Sequence, residues 1–424
     1  MTESRPQPPS WSPWRAVLTF GYVSLAADMV YEGMRAVSGP FLGSLGASAL
    51  TVGLVTGAGE AVALVLRLVT GPWADRRHLH WRLTVVGYAL TAGCVPLLAV
   101  APFVGVAGVA VATTLILAER TGKAVRSPAK STLLARMAAG TGRGRGFGVH
   151  KALDQVGAFS GPLLLAGMLA LTGAYWPGFL LLAVPGAVSL LLLARLRRRV
   201  PSVAEPDPEE EQEEAYPAPG GRGARGVVAA LGVGLPRAFF LFSGAVTLST
   251  VGLMTFGIIS YRLVEAGVVT APVVPLVYAL AMAAGAVAAL AAGDAYDRWG
   301  PGTLLLVPVL VAVVPFAVFA DRLAPVLAGV VVWGAATGLQ DSTVKAYVAH
   351  IVPAGRRATA YGVFAALQGL GALAGGALAG GLSGRHAGLL AVIVAGLQAV
   401  ALGLLWWTLR ASVPGARRGL GARH

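Results

Sequence analysis

The sequence predicts an all-α integral membrane protein with twelve transmembrane helices, arranged as two parallel repeats of six. Three observations predict this fold class. The 424-residue chain is 56% hydrophobic and 12% charged, with a mean hydropathy of +0.72, whereas soluble domains are about 25% charged. Apolar segments of about 20 residues, the length that crosses a bilayer core, recur along the chain. Segments of the first half also recur in the second half.

The first half begins with a proline-rich cytoplasmic tail, residues 1–15, which lacks the pattern of a cleavable signal peptide. An N-terminal six-helix bundle, residues 16–199, follows the tail. Its predicted spans are 16–38, 49–71, 82–103, 105–127, 146–171 and 177–197.

The second half begins after residues 200–235, which contain an acidic run from Glu209 to Glu214 flanked by Pro and Gly. A segment of this composition cannot bury a core, so we predict a disordered cytoplasmic linker, most simply a solvated charge run without a partner. The C-terminal six-helix bundle is predicted at 236–410, and residues 411–424 form a basic cytoplasmic tail. The predicted spans are 236–261, 272–293, 302–320, 324–350, 358–382 and 387–409.

Basic residues are concentrated in the connectors that follow even-numbered spans, whereas the connectors around 39–48, 101–106 and 172–177 carry no charge. The positive-inside rule therefore places both termini in the cytoplasm, with the chain in the inner (cytoplasmic) membrane of a bacterial cell. Contacts with anionic lipid headgroups account for the net charge of +14, so we expect no nucleic-acid partner. A single cysteine, Cys94, excludes an internal disulfide.

Two segments of the first half recur at corresponding positions of the second. Residues 147–161 match residues 361–375 without a gap, and residues 71–76 match residues 293–298. Duplication explains both matches. Because six spans per half give the halves equal orientation, they are predicted to be parallel repeats, the arrangement of one large transporter class.

Glycine, aspartate and arginine recur in the connector between the second and third spans of each half. These residues are Gly71, Asp75 and Arg76 in the first copy, and Gly293, Asp297, Arg298 and Gly300 in the second. The pattern resembles the loop signature of the major facilitator superfamily, which the chain resembles over its whole length apart from the tails and linker. The resemblance implies a gating role. The first copy departs from the signature at His78, where Gly is expected, and the second lacks a basic run.

A second motif lies in the fifth predicted span. It consists of Gly148, Gly157, Gly161 and Pro162, spaced as Gly-x8-Gly-x3-Gly-Pro. The spacing resembles the motif of the drug-efflux and other antiporter branches of the superfamily, although Leu165 and Ala166 replace its terminal Gly pair. Small residues four apart also let another helix approach closely, so ordinary packing is the alternative interpretation. The second copy has Gly376 in place of the proline, an asymmetry that favours the antiporter interpretation.

Charged side chains inside predicted spans are costly in hydrocarbon and are therefore candidates for function. In the first span, Asp28, Glu32 and Arg35 share one face, and Glu32 and Arg35 could instead neutralise each other. Glu60 lies near the middle of the second span, with Arg67 two turns deeper on the same face. Asp28 and Glu60 both fall near the midplane, where two ionised carboxylates would repel and so favour proton binding by one of them.

The remaining candidates are Glu119, Arg120 and Lys123 in the fourth span and Asp154 in the fifth. Counting residues from the span ends predicts an ion pair between Arg120 and Asp154. Lys123 and Arg126 lie close enough to the cytoplasmic end to snorkel to the interface, which we favour for Arg126. In the second half only Asp341 and Lys345 are comparably placed, so coupling chemistry is predicted in the first half.

The leading functional hypothesis is a proton-coupled exporter of a small solute that works by alternating access, with protonation of Asp28 or Glu60 as the coupling event. Two alternatives stay open: an importer or facilitator of an organic anion, and a non-transporting receptor or scaffold that signals through the acidic linker. The sequence contains no catalytic motif or phosphate-binding loop, so we predict no enzyme activity, cofactor or metal site. We expect a monomer whose partners are a small-molecule substrate, protons and membrane lipids.

Overall fold

A computed structural model of the chain describes residues 11–76, 79–200, 235–353, 356–384 and 386–411. The predicted acidic linker, most of both predicted tails, and His78 lie outside these residues. The side chains of Gly71, Pro72, Asp75, Arg76, Arg143, Lys345, Ala358 and Ala411 lie outside the description as well.

Regular structure in the described residues of the first half is helical. The α-helices are α1 (Pro13–Ser44), α2 (Ala49–Val65), α3 (Arg67–Arg76), α4 (His80–Leu97), α5 (Gly108–Ala138), α6 (Arg143–Thr172), α7 (Tyr175–Leu181) and α8 (Ala183–Arg199). Short 3-10 turns occupy Leu98–Phe103, Gly105–Ala107 and Ala139–Thr141.

The described residues of the second half are built in the same way. Their α-helices are α9 (Arg237–Leu253), α10 (Phe256–Glu265), α11 (Val274–Trp299), α12 (Leu306–Val318), α13 (Leu323–Ile351), α14 (Arg357–Leu382) and α15 (Ala387–Ala411). Two 3-10 turns occupy Ala271–Val273 and Gly300–Leu305.

Nine stretches of the described residues are long and apolar enough to cross a membrane by length and composition. The predicted all-α, membrane-spanning fold class is confirmed at this level. The count of twelve spans stays a prediction, because the stretch Ala271–Val318 covers two predicted spans and the charged helices α1 and α5 fall outside the nine.

Several predicted spans differ from the observed helices. The second span is divided at Leu66 and the sixth at Leu182. The fourth was predicted to end at residue 127, before a proline, yet α5 continues through Pro128 to Ala138. Membrane helices tolerate an internal proline where neighbouring groups satisfy the freed carbonyl, and this extension carries further basic side chains into the helix.

The seventh predicted span is broken between α9 and α10. Met254, at the break, has a φ of 47°, a conformation that is strained for a residue other than glycine. The indole N–H of Trp333 in α13 donates to the carbonyl oxygens of Leu253 at 2.8 Å and Met254 at 3.3 Å. Trp333 therefore satisfies carbonyls that the end of α9 leaves without helical partners.

Close contacts divide the chain into two compact units. The first contains residues 1–47, 62–219 and 271–276, and the second contains 48–61, 220–270 and 277–424. Most of α2 therefore packs with helices of the second half. The predicted bundle boundaries, which separate the halves at the linker, stay a prediction.

In the first unit, helices α1, α4, α5 and α8 share a buried core that includes Phe20, Trp81, Leu133 and Leu196. Helix α6 packs along α1 through two glycines of the fifth-span motif. A Cβ atom at Gly157 would lie 2.9 Å from the Cα of Leu25, and one at Gly161 would lie 2.9 Å from the backbone nitrogen of Gly33. These two glycines serve helix packing, while the antiporter interpretation of the motif stays a prediction.

In the second unit, α9, α13, α14 and α15 enclose an aromatic core. Its buried members include Phe239, Phe242, Tyr347, Phe364 and Leu405. Helix α14 also meets α2, because a Cβ atom at Gly376 would lie 3.0 Å from the carbonyl carbon of Gly53 and 3.2 Å from the Cα of Gly57. This contact gives a physical reason for glycine at the position where the first repeat has Pro162.

Candidate functional site

The charged side chains of the first unit meet in a cluster between α1, α4, α5 and α6. At its centre, a guanidinium nitrogen of Arg126 lies 3.9 Å from Asp28 Oδ1. Arg126 also donates to Thr91 Oγ1, and its guanidinium lies 4.6 Å from the ring centroid of Tyr88. One side chain of α5 thereby binds both α1 and α4.

The expectation that Arg126 snorkels to the interface is wrong. Arg126 is only 4% exposed and has protein partners on two other helices. The physical reason is the length of α5, which ends at Ala138, about three turns beyond this residue.

A second ion pair joins α5 to α6. The Lys130 ammonium donates to Asp154 Oδ1 at 3.3 Å, and His150 Nε2 lies 3.9 Å from the same oxygen. The imidazole of His150 is buried and stacks on Phe20, with ring centroids 5.6 Å apart. Ser24 Oγ lies 3.3 Å from His150 Nε2. The carboxylate and the hydroxyl approach the same imidazole nitrogen, so the three groups do not form a nucleophilic triad, in which they would bind opposite nitrogens.

A third acid, Glu119, is completely buried. Its Oε1 accepts a hydrogen bond from Thr91 Oγ1 at 3.0 Å, and its Oε2 lies 3.8 Å from Arg120 Nε. Within the described residues, Oε2 has no hydrogen-bond partner.

Tyr31 of α1 receives two cations of α5. Arg120 donates to the Tyr31 hydroxyl, and its guanidinium lies 4.6 Å from the ring centroid. The Lys123 ammonium lies 3.5 Å from the same centroid. Cation–π contacts of this kind hold cations where water is scarce.

Thr91 and Ser24 link these contacts into one continuous network, Ser24 through the Tyr88 hydroxyl at 2.9 Å and His150 Nε2 at 3.3 Å. Thr91 receives a hydrogen bond from Arg126 and donates one to Glu119. The cations of the network are Arg120, Lys123, Arg126 and Lys130, and the acids are Asp28, Glu119 and Asp154. Among the contacts described here, the four cations outnumber the three acids by one. Within the described part of the chain, no three His, Cys, Asp or Glu side chains gather as metal ligands.

The partners of two predicted residues differ from the prediction. Arg120 and Asp154 were expected to pair with each other. Instead the structure shows Arg120 beside Glu119 and Tyr31, and Asp154 beside Lys130 and His150. Depth counting gave the two residues similar levels, but it could not give the helix face on which each lies.

Sequence reasoning missed several members of the network. They are Ser24, Tyr31, Tyr88, Thr91, Lys130 and His150. For Lys130 a signal existed, because Lys123, Arg126 and Lys130 follow one another at spacings of three and four and so share a helix face. The uncharged tyrosines, serine and threonine carry no comparable signal.

The other candidates of the first two spans are Glu32, Arg35, Glu60 and Arg67, and the guanidinium of Arg35 lies 6.0 Å from the ring centroid of Tyr31. Glu32 and Arg35 form an ion pair of 3.8 Å, the mutual neutralisation given as an alternative. Glu60 lies in α2 and belongs to the second unit, whereas Arg67 begins α3 beyond the break at Leu66. The coupling role of Glu60 beside Asp28 stays a prediction.

The loop motif is described in its second copy. Gly300 has a φ of +72° directly after the end of α11, which suits a helix-terminating glycine. Arg298 pairs with Asp294 at 2.9 Å, in an exposed position, while Asp297 is also exposed. In the first copy only the backbone of α3 is described. The gating role of both copies stays a prediction.

The family model described as Major Facilitator Superfamily matches residues 20–320 and 270–424. The chain belongs to the Major Facilitator Superfamily. Its resemblance to that family is thereby confirmed, and it is a multi-pass membrane protein of a transporter family.

Two relatives show how similar this chain is to other proteins in sequence. An uncharacterized protein of Mycobacterium tuberculosis (strain ATCC 25618 / H37Rv) is 49% identical over 400 residues, which cover 94% of each chain. An uncharacterized MFS-type transporter of Methanocaldococcus jannaschii is 25% identical over 378 residues, covering 86% of this chain and 87% of the relative.

Solved superfamily structures share the fold. The nucleoside transporter NupG aligns with a TM-score of 0.69 at 15% identity, covering 93% of this chain and 99% of its own. A bacterial homolog of the human lysosomal transporter Spinster, inward-facing and unoccupied, aligns with a TM-score of 0.62 at 16% identity, covering 96% of both chains. At such identities the likeness concerns the fold alone.

Proposed function

We propose that the chain is a twelve-span secondary transporter of the inner membrane, and that the charged network of its first unit couples movement of a small solute to protons. Membership of the Major Facilitator Superfamily supports transport. The contact between Asp28 and Arg126 supports the coupling site. Export is supported by the antiporter-like spacing of Gly148, Gly157, Gly161 and Pro162.

The proposed count of twelve spans includes the charged helices α1 and α5 together with the apolar ones. Nine stretches have the length and hydropathy of a span, and one of them, Ala271–Val318, contains both α11 and α12. Helices α1 and α5 are 32 and 31 residues long, sufficient to cross a hydrocarbon core of about 30 Å at about 1.5 Å per residue. Asp28 of α1 and Glu119, Arg120, Lys123, Arg126 and Lys130 of α5 belong to the charged network between these helices.

Proton binding at Asp28 would change how α1 and α5 interact. A proton on Asp28 removes the negative charge that faces the buried Arg126, and removing one partner of a buried ion pair leaves the other uncompensated. The Asp28 side chain is 21% exposed, so it is not sealed among the packed helices. The proton-bound and proton-free forms therefore differ in a contact between two helices, which is what a coupling ion needs to shift a conformational equilibrium.

An importer or facilitator of an organic anion is the second candidate, favoured by the excess positive charge of the network. Arg120 and Lys123 both contact Tyr31, and Glu119 nearby accepts a single hydrogen bond within the described residues. A proton bound at Asp28 would raise the excess positive charge further. Binding of a proton and of an anion would then support each other, as in a symporter.

A ligand is the first requirement for testing these functions. A thermal-shift screen of the purified full-length protein against metals, cationic drugs, sugars and organic acids would provide one. Transport of that ligand is then measured in inside-out vesicles, with and without a proton gradient. Whole-cell accumulation gives the direction, because an exporter lowers the internal concentration of its solute.

The decisive variants are Asp28→Asn and Glu60→Gln, with Asp321→Asn, at a carboxylate that is 88% exposed, as the control. We expect Asp28→Asn to abolish stimulation by the proton gradient while leaving gradient-independent exchange, and Asp321→Asn to behave as wild type. Wild-type uptake that ignores the gradient would refute the coupling. Deletion of residues 201–222 tests the receptor alternative, because a transporter keeps its activity without that segment.

A further inference from the structure

A groove of about 500 Å³ runs along the surface of the first unit between α4 and α8. It is lined by Val85, Ala89, Leu190, Leu193, Ala194, Arg197 and Arg198. Five of these residues are apolar and two are arginines, and none is acidic. Its volume lies in the range of about 300–1,000 Å³ that is typical of sites for small ligands.

The apolar residues lie toward one end of the groove and the arginines toward the other. This follows from the antiparallel directions of α4 and α8. Where the helices cross, a Cβ atom at Gly186 would lie 3.2 Å from the Cα of Ala92. From that crossing, α4 runs back toward its first residue while α8 runs forward to Arg199, its last. The two lining arginines therefore lie level with the start of α4.

A third arginine, Arg82, belongs to the same end. It is exposed and lies three residues before Val85 and seven before Ala89, so it shares their face of α4. The basic end of the groove thus combines one arginine of α4 with two of α8. By the positive-inside rule this is also the end predicted to face the cytoplasm.

We propose that this groove is a binding site for an anionic phospholipid. One acyl chain would lie against the apolar residues, and the headgroup phosphate would be bound by Arg197, Arg198 and Arg82. Arginine suits this role because its planar guanidinium donates two parallel hydrogen bonds to phosphate oxygens. From Ala89 to the level of Arg82 the groove extends about 10 Å along α4, enough for the part of an acyl chain next to the headgroup.

The arginines that end α8 are not one uniform charged patch. Arg195 points toward α1, with its guanidinium 5.9 Å from the ring of Trp11. Leu196 is completely buried. Arg199 is exposed and does not line the groove. The chain therefore offers a matched control, Arg195→Gln/Arg199→Gln, which also removes two charges near the end of α8 but none from the groove lining.

The test is native mass spectrometry of the full-length protein carrying phosphatidylglycerol or phosphatidylcholine, together with titration of each lipid in detergent. We expect one phosphatidylglycerol to remain bound under conditions that remove phosphatidylcholine. The double variant Arg197→Gln/Arg198→Gln should weaken phosphatidylglycerol binding by about tenfold or more, because charge-assisted hydrogen bonds are lost. The control Arg195→Gln/Arg199→Gln should leave it unchanged.

The apolar end is tested separately. Ala194→Phe would fill the groove and should also displace phosphatidylglycerol, whereas Leu191→Phe, at an exposed position of α8 outside the groove, should not. Thermal unfolding of each variant establishes that it folds.

Four results would overturn the proposal. Equal loss in Arg195→Gln/Arg199→Gln would indicate that the lipid is attracted by the general positive charge of this surface. Equal retention of phosphatidylcholine would indicate an acyl contact without headgroup recognition. Inorganic phosphate binding as tightly as the lipid would indicate a site for small anions. A dimer seen by light scattering, with the groove covered by the second copy, would indicate a protein–protein interface. None of these depends on proton coupling, so the two proposals can fail independently.

Discussion

The carboxylate of Asp28 in α1 lies 3.9 Å from the guanidinium of Arg126 in α5, and the same guanidinium donates to Thr91 in α4. Three helices of the first unit therefore meet at one arginine. A change in the charge of Asp28 therefore changes the electrostatic environment of Arg126, which is buried and also binds Thr91.

Removing the charge of Arg126 is predicted to destabilise the protein. Arg126→Gln leaves the Asp28 carboxylate without its partner, and breaking a buried ion pair typically costs about 3–5 kcal/mol. Thermal unfolding in detergent should show a clear fall in Tm, smaller for Arg126→Lys, while Arg145→Gln at an exposed position of α6 should have no effect. A variant as stable as wild type would mean that Arg126 is dispensable.

Lys130 and Asp154 are predicted to be energetically coupled. Either single substitution, Lys130→Met or Asp154→Asn, leaves one charge of the 3.3 Å pair buried without its partner. The double variant removes both charges and should be less destabilised than the sum of the single variants, with a coupling of about 0.5–3 kcal/mol. Unfolding of the four proteins measures this coupling, and simple additivity would contradict the pairing.

Gly161 is predicted to tolerate no larger side chain. Gly161→Leu places atoms against the α1 backbone near Gly33, and overpacking of this kind typically costs about 1–3 kcal/mol or more. Gly167→Leu on the same helix is the control, since nothing lies within 4 Å of a Cβ atom there. Expression and Tm of both variants are compared; equal behaviour would show that α6 does not depend on this close approach.

Trp333 is predicted to stabilise the break between α9 and α10 through its indole N–H. Trp333→Phe keeps an aromatic ring but leaves the carbonyls of Leu253 and Met254 without this donor, at a cost of about 1–3 kcal/mol. A lower Tm is expected for this variant. Trp299→Phe, at a position that is 76% exposed, is the control and should unfold like wild type. A wild-type Tm for Trp333→Phe would contradict the prediction and would mean that other groups satisfy the two carbonyls.

The fold could be predicted further than the site. Hydropathy, the repeats and the two motifs led to the membrane class and to the superfamily, because span length and motif spacing are local properties of the sequence. Asp28, Glu119, Arg120, Lys123 and Asp154 were found because a charge in an apolar span is conspicuous. Their partners were not found, because contacts between helices depend on rotation and depth, which composition does not encode.

By itself, the sequence determined that the chain is helical, membrane-spanning and of the Major Facilitator Superfamily. Only the tertiary structure decided that α5 continues through Pro128, that Arg126 is buried beside Asp28, and that Lys130 binds Asp154. The physical reason is that the insertion of a helix into the membrane depends on the hydropathy of one short stretch of sequence. An ion pair, in contrast, needs two side chains from distant segments within about 4 Å of each other, a distance that helix packing alone sets.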